Sequence, residues 1–332
     1  MSRYAIIGYN NTLSKNIIEL LALRGFNKSD VGIFAQKVQG EIKISFGDDD
    51  VSVKPIEHFN PEEFDAIIFT GNTNVSQYIR KFAGSGIKII NATTQVDGEV
   101  DTPMIVGGIN DNELDKANNV INVPNPCVTQ LLAGLSGIAS KYTIKNIRLS
   151  TYMSADFEEQ DGMSELYNTT RRILMNDVSS GNSGLFHKIL AFNVIPQVGN
   201  FIGEETSNEW LFNTQSKQVL GIDVKIHANC ALIPAFVGMG IYANIETEEE
   251  IDATEVTDDV KKAKGVLVLD KQEDGGYFSL TDVQGESSIF ISRIRQDMTV
   301  DNGISLWIAG DMYKIAAQNI LAILKQFLKR DK

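Results

Sequence analysis

Cysteine is scarce in this chain. Only Cys127 and Cys230 occur among 332 residues. Two thiols in so long a chain exclude a disulfide framework and point to a reducing compartment. Histidine is nearly as rare: His58, His187 and His227 are the whole supply, which narrows any general acid–base assignment. No apolar run is long enough to span a bilayer. Positive charge is short as well, with 30 Lys and Arg against 43 Asp and Glu and a net charge of −13. A surface that acidic disfavours nonspecific binding to nucleic acid or anionic membranes. It says little about small ligands, because a local basic pocket can coexist with it. The start, Met1-Ser2-Arg3-Tyr4-Ala5-Ile6-Ile7-Gly8, runs directly into a strand and predicts no secretory leader. A cytoplasmic location is the expectation. What is present is a 43% hydrophobic fraction, ample for a core, in a length that suits one large domain or two ordinary ones.

Apolar runs and helical periodicity alternate along the first third. Tyr4 to Ile7 predicts a buried strand, Asn16 to Leu23 a helix ending at Gly25, and Val31 to Phe34 a second strand. Alternation in Ile42 to Phe46 and Val51 to Val53 predicts a hairpin around Gly47 to Asp50. Asp65 to Gly71, Val75 to Phe82 and Gly86 to Asn91 continue as strand, helix, strand. This succession argues for a mostly parallel sheet covered on both faces. Further on, long strands are predicted at 146–152, 224–230, 241–245, 290–295 and 305–310, and helices at 162–175 and 311–328. The run 246–252, rich in glutamate, reads as the solvated first turn of a helix.

The segment Val123-Pro124-Asn125-Pro126-Cys127-Val128-Thr129-Gln130 organises the rest. An apolar run, Leu131 to Leu135, follows at once and reads as a buried helix. A thiol at such a loop-to-helix junction meets unpaired N–H groups and the helix dipole, which favour thiolate. For this segment alone, a small buried core cysteine is the better reading. The turn Gly8 to Ser14, between the first strand and its helix, is where a dinucleotide fold carries its phosphate-binding glycines.

The chain resembles the aspartate-semialdehyde dehydrogenase family along nearly its whole length. Pro124 to Gln130 matches the nucleophile segment and Leu149 to Tyr152 the strand after it. Ala191-Phe192-Asn193-Val194-Ile195-Pro196-Gln197, Arg293-Ile294-Arg295 and Leu306-Trp307-Ile308-Ala309-Gly310-Asp311 are specific family strings. The resemblance implies an α/β chain: a Rossmann-like dinucleotide-binding domain, 1–126 plus 311–332, with a second α+β dimerisation domain, 127–310. It implies NADP as cofactor, a homodimer, and a reaction in which a cysteine thiolate attacks an acyl carbonyl to form a thioester. A histidine then carries protons and an arginine grips the substrate carboxylate.

The resemblance also shows departures. Cys127 keeps the nucleophile position, but Pro126 replaces the asparagine before it and supplies no N–H and no amide. Met239 stands at the histidine position, and a thioether cannot shuttle a proton. Leu232 stands at the arginine position and Met153 at a glutamine. His227 reads as a structural histidine. The family's Ser-Gly-Ala-Gly loop becomes Asp156-Phe157-Glu158-Glu159, expected as an exposed acidic loop. Asp97 replaces a basic residue, Leu211 a lysine, Gln215 a glutamate, Gly107-Gly108 a Pro-Glu pair, and Met312 an asparagine. In the cofactor turn only Gly8 remains, followed by Tyr9, Asn10, Asn11, Thr12, Leu13 and Ser14. Asn11 is a candidate for the left-handed conformation that would keep the turn's shape. Lys37 replaces the arginine that meets the 2′-phosphate, keeping charge without the fork.

Two readings follow. In the first, the chain is a catalytically silent, pseudoenzyme-like homologue, alone or paired with an unidentified heteromeric partner. In the second, it is an active NADP-dependent enzyme of amino-acid biosynthesis, acting on aspartyl phosphate through a Cys127 thioester. Cys127, Lys37, Arg293 and Arg295 favour the second, although the arginines also suit structural ion pairs. A different acyl or aldehyde substrate in a greasier pocket ranks last, because no base is evident. No metal site is expected.

Overall fold

A computed structural model describes residues 2–71, 76–93, 102–176 and 184–329. The chain divides into two units, residues 1–129 with 316–332 and residues 130–315.

The first unit is built on β1 (Tyr4–Ile7), α1 (Thr12–Leu23), β2 (Val31–Ala35), β3 (Lys43–Phe46), β4 (Asp49–Pro55), β5 (Ala66–Gly71), α2 (Ser76–Ala83), β6 (Lys88–Thr93) and β7 (Val120–Asn122). Its sheet runs β3-β4-β2-β1-β5-β6-β7. Every pairing is parallel except the β3–β4 hairpin. Tyr4–Ile7 and Ala66–Phe69 are buried throughout, as strands covered on both faces are. Phe34, Phe59, Phe64 and Phe82 interlock beside them, with ring centroids 4.9–5.8 Å apart. The chain turns from β2 on one side of β1 to β5 on the other, so the end of β1 is a topological switch point, where open α/β sheets bind ligands.

Helix α3 (Pro126–Ala139) carries the chain from the first unit to the second. There follow β8 (Ile144–Met153), α4 (Glu159–Leu174), the short pair β9 (Phe201–Ile202) and β10 (Glu205–Thr206), α5 (Ser207–Leu220), β11 (Lys225–Leu232), β12 (Met239–Thr247), α6 (Ala253–Lys262), β13 (Val266–Val268), β14 (Ile289–Gln296) and β15 (Gly303–Gly310). Helix α7 (Met312–Phe327) returns to the first unit. The six-stranded sheet runs β11-β8-β12-β15-β14-β13, parallel only at its two outer pairings. Buried and half-buried residues alternate along β12, so one face packs and the other is partly open. The open face is not bare: Tyr152, Tyr242 and Trp307 touch one another, and the Arg295 guanidinium lies 5.9 Å from the Tyr242 ring centre.

The run 246–252 is not a first helical turn. Glu246 and Thr247 end β12, and Asp252 is the N-cap of α6, accepting from the N–H groups of Thr254 and Glu255. The strand wins because Glu246 has a register partner on both β8 and β15.

Helix α3 approaches α6 closely at Gly137. A Cβ there would lie 2.8 Å from Val260 Cα and 3.0 Å from the Asp259 carbonyl oxygen. Alanine gains about 1 kcal/mol of helix propensity over glycine, so the net sign of Gly137→Ala tests the contact. A loss of about 1–3 kcal/mol in denaturant unfolding is expected from overpacking; a gain would show that backbone proximity does not matter there.

Candidate functional site

The first group of candidate residues surrounds the end of β1. Gly8 has φ +96, and a Cβ on it would fall 2.5 Å from the Thr70 carbonyl oxygen, so only glycine fits this turn. Its carbonyl accepts from Thr70 Oγ1 at 2.6 Å. Asn11 is not left-handed. It is extended, with φ −120 and ψ 160, and caps α1 by accepting from Ser14 N at 2.9 Å. Its amide donates to Thr70 Oγ1 at 3.1 Å, which ties the cap to β5. N-capping outcompetes the left-handed turn because it satisfies a helix donor. Asn10 is exposed, Thr12 opens the helix, and Leu13 is buried beneath it. The first turn of α1 holds no acid, which leaves the positive helix end open to an anion. Lys37 is exposed just beyond β2, and no carboxylate pairs with it among the described residues. An acid-free helix start at the switch point and an unengaged lysine past the second strand suit a phosphate-bearing dinucleotide.

Cys127 sits at the start of α3, as the Asn-Pro pair before it dictates: Asn125 accepts from Cys127 N at 3.1 Å, and Pro126 occupies the first helical position. The sulfur is fully buried and donates to the same Asn125 Oδ1 at 3.1 Å. That contact is attractive only while sulfur carries its proton. The helix-end argument for a thiolate is therefore opposed by the oxygen that caps the helix. Cys230, on β11, is also buried, and burial pushes its thiol up to about 12.

In the second unit, sheet register brings together three residues singled out in the sequence, Leu232, Met153 and Met239. Leu232 pairs with Met153, Met153 with Met239, and Met239 with Gly310. Register partners share a face, so three side chains form one apolar row across the ends of β11, β8 and β12. Leu232 is 5% exposed and both methionines 0%. No member of the row can take or give a proton. Two buried amides flank it. Gln130 Nε2 donates to the Met239 carbonyl at 2.7 Å, while its Oε1 finds no partner. Asn208 Nδ2 contacts the Met153 sulfur at 3.2 Å. In the sequence Gln130 closed the nucleophile segment without a role of its own, and Asn208 was not singled out.

The expected exposed acidic loop is not one. Asp156 is 5% exposed, inside a 3₁₀ turn (Ala155–Glu158), and Glu159 already begins α4. Burial pushes Asp156 up to about 6, and Asp311 adds to the shift. His227 faces outward on β11 and is exposed rather than packed, because that strand lies at the sheet edge. Arg293 and Arg295 form no ion pair among the described residues. Arg293 has φ +59 in a bulge whose N–H groups are held by Asp270 at 2.8 and 2.9 Å, and Arg295 donates to the Arg293 carbonyl. Leu211 is half-buried, Gln215 and Met312 are buried, and Gly107 N donates to Asn319 Oδ1 at 2.9 Å. Asp97 lies outside the described residues.

With both thiols buried, native protein is expected to consume no aromatic disulfide reagent over minutes and two equivalents once unfolded. Rapid labelling of the native state at Cys127, followed by mass spectrometry, would refute the caged arrangement.

A family model described as the semialdehyde dehydrogenase dimerisation domain matches residues 135–312. An aspartate-semialdehyde dehydrogenase of Rickettsia bellii (strain RML369-C) is 29% identical over 330 residues, spanning 98% of this chain and 97% of its own length. The crystal structure of aspartate semialdehyde dehydrogenase II from Vibrio cholerae matches with a TM-score of 0.90 at 24% identity, over 99% of each chain. That of the Candida albicans enzyme, solved with NADP, matches at 0.68 and 15%, over 98% of this chain and 99% of its own. At these identities the structural likenesses speak to the fold. The chain belongs to the aspartate-semialdehyde dehydrogenase family.

Proposed function

We propose that this chain is an aspartate-semialdehyde dehydrogenase homologue that binds NADP but turns over the family substrate poorly or not at all. The observation that carries the reading is the apolar row Leu232, Met153 and Met239. In the family chemistry, a nucleophilic cysteine works with a proton carrier and a cation that holds the substrate carboxylate. The positions that correspond to these two in this chain hold a thioether and an isobutyl group. Loss of a general acid–base typically costs ~10²–10⁴-fold in rate. Loss of the cation leaves a desolvated carboxylate unpaired, on the order of 2–5 kcal/mol. The two act on one constellation and do not multiply. Cys127, donating its hydrogen to Asn125, adds a third handicap.

Cofactor binding is a separate matter from chemistry. NADP, when bound, supplies a hydride acceptor. Gly8, the acid-free start of α1 capped by Asn11, and Lys37 are the residues proposed to hold it. The Candida albicans structure with NADP supports this cofactor choice by kinship. A homodimer formed through the second unit is proposed from the description of the matching family model. Among the described residues no helix is long and apolar enough to cross a membrane.

Purified protein with aspartate semialdehyde, phosphate and NADP is expected to give no NADPH above background. Turnover that disappears in Cys127→Ala would overturn the silent reading and establish the active one. In calorimetry, NADP is expected to saturate the protein. Lys37→Ala should raise its Kd roughly fivefold, as for an exposed ion pair of about 1 kcal/mol, and leave NAD binding unchanged. Equal effects on both would remove Lys37 from the 2′-phosphate.

A further inference from the structure

The corner after β8 is fastened to the turn that precedes β12, entirely within the second unit. Ser154 N donates to the Gly238 carbonyl at 3.3 Å, Ala155 N to that of Ala235 at 2.9 Å, and Asp156 N to that of Phe236 at 3.1 Å. Gly238 N returns a bond to Asp156 Oδ2 at 3.2 Å. The decisive atom is Ser154 Oγ. It lies 2.5 Å from the Gly238 carbonyl oxygen and 2.6 Å from Asp156 Oδ1. A hydroxyl has one hydrogen to give. Both contacts are hydrogen bonds at once only if Asp156 itself carries a proton and donates it to Ser154 Oγ, which then donates to Gly238.

The surroundings favour that proton. Asp156 is 5% exposed, and no lysine, arginine or histidine pairs with it among the described residues. The charged group that faces it across the packing is Asp311, between β15 and α7, itself raised by burial; Lys314 acts on Asp311. The Gly238 N–H, from the β12 side, favours the ionised form, and burial outweighs it. The corner is also under tension. Glu159 leaves it with φ 51 and ψ −139, a conformation non-glycine residues seldom adopt. Gly162 packs against the Ala155 carbonyl so closely that a Cβ would fall 2.0 Å from the oxygen.

We propose that Asp156, Ser154 and the Gly238 carbonyl form a proton-operated latch, closed while Asp156 is protonated and released when it ionises. On ionisation, one of the two short contacts to Ser154 Oγ becomes oxygen lone pair against lone pair, next to a second carboxylate. The corner begins one residue after Met153 and the turn ends one residue before Met239, so release frees the ends of β8 and β12 where the apolar row lies. The device does not depend on whether the chain turns over a substrate.

The closed state holds the proton near pH 6, against 3.8 for an ordinary aspartate. Closure is therefore complete below about pH 4 and lost progressively as pH rises through about 6, reaching a plateau above it. Amide hydrogen exchange, corrected for intrinsic rates and followed from pH 4 to 8, reads this directly. The amides of Ser154, Ala155, Asp156 and Gly238 should exchange ahead of those of β12 at every pH. Their protection should fall by roughly 10- to 100-fold across the window. In Asp156→Asn the amide donates to Ser154 Oγ permanently, and the pH dependence should vanish. Protection that does not change with pH in the wild type, corner amides that exchange only together with β12, or an asparagine variant that keeps the wild-type profile would each overturn the latch. Should that variant fail to fold, Asp311→Asn leaves the latch groups in place and must move the midpoint to lower pH; an unmoved midpoint also overturns the proposal.

Discussion

The register of β11, β8 and β12 is the constraint on which the second unit's properties depend. Strand pairing fixes which side chains stand abreast, and a slip of one residue would send every one of them to the opposite face. Leu232, Met153 and Met239 come from positions as far apart as 153 and 239 in the chain, yet pairing makes them neighbours. The same pairing brings Ser154 and Asp156 against Gly238. The apolar row and the buried Asp156 corner thus have one geometric origin.

Leu232, Met153 and Met239 pack without water or counter-charges, and burial of such groups stabilises rather than costs. Two buried amides, Gln130 and Asn208, contact that row, one with an oxygen left unpartnered. A buried amide without a full set of partners is expensive.

Much of the fold was legible from local pattern. The unbroken apolar runs at 4–7 and 66–69 could only be strands buried on both faces, and Asn-Pro before Cys127 marks a helix start from residue chemistry alone. Periodicity ends the first helix at 23 and the last at 328, and they end at Leu23 and Phe327. Asp156 was not legible. Three acids around a phenylalanine look like solvent-facing residues, and only the turn at 235–238, some eighty positions on, converts them into a buried corner. Asn11 was misjudged for a similar reason: both a left-handed turn and an N-cap suit asparagine, and Thr70 on β5 decides between them. The glutamates at 246–250 followed a sound helix-dipole argument but belong partly to a strand, since pairing on two sides outweighs local propensity.

Among the described residues, the outer strand β11 has one flank with no neighbouring strand. Bare flanks of this sort invite a foreign strand to dock and so seed aggregation. Here two donors at its C-terminal end, Cys230 N and Leu232 N, are already engaged. Glu209, from the first turn of α5, takes the N–H of Cys230, and Ile195 exchanges a reciprocal pair of bonds with Leu232. The segment Ala191 to Gln197, striking in the sequence only as a family signature, thereby serves as a bumper that stops the sheet from growing into another molecule at that end.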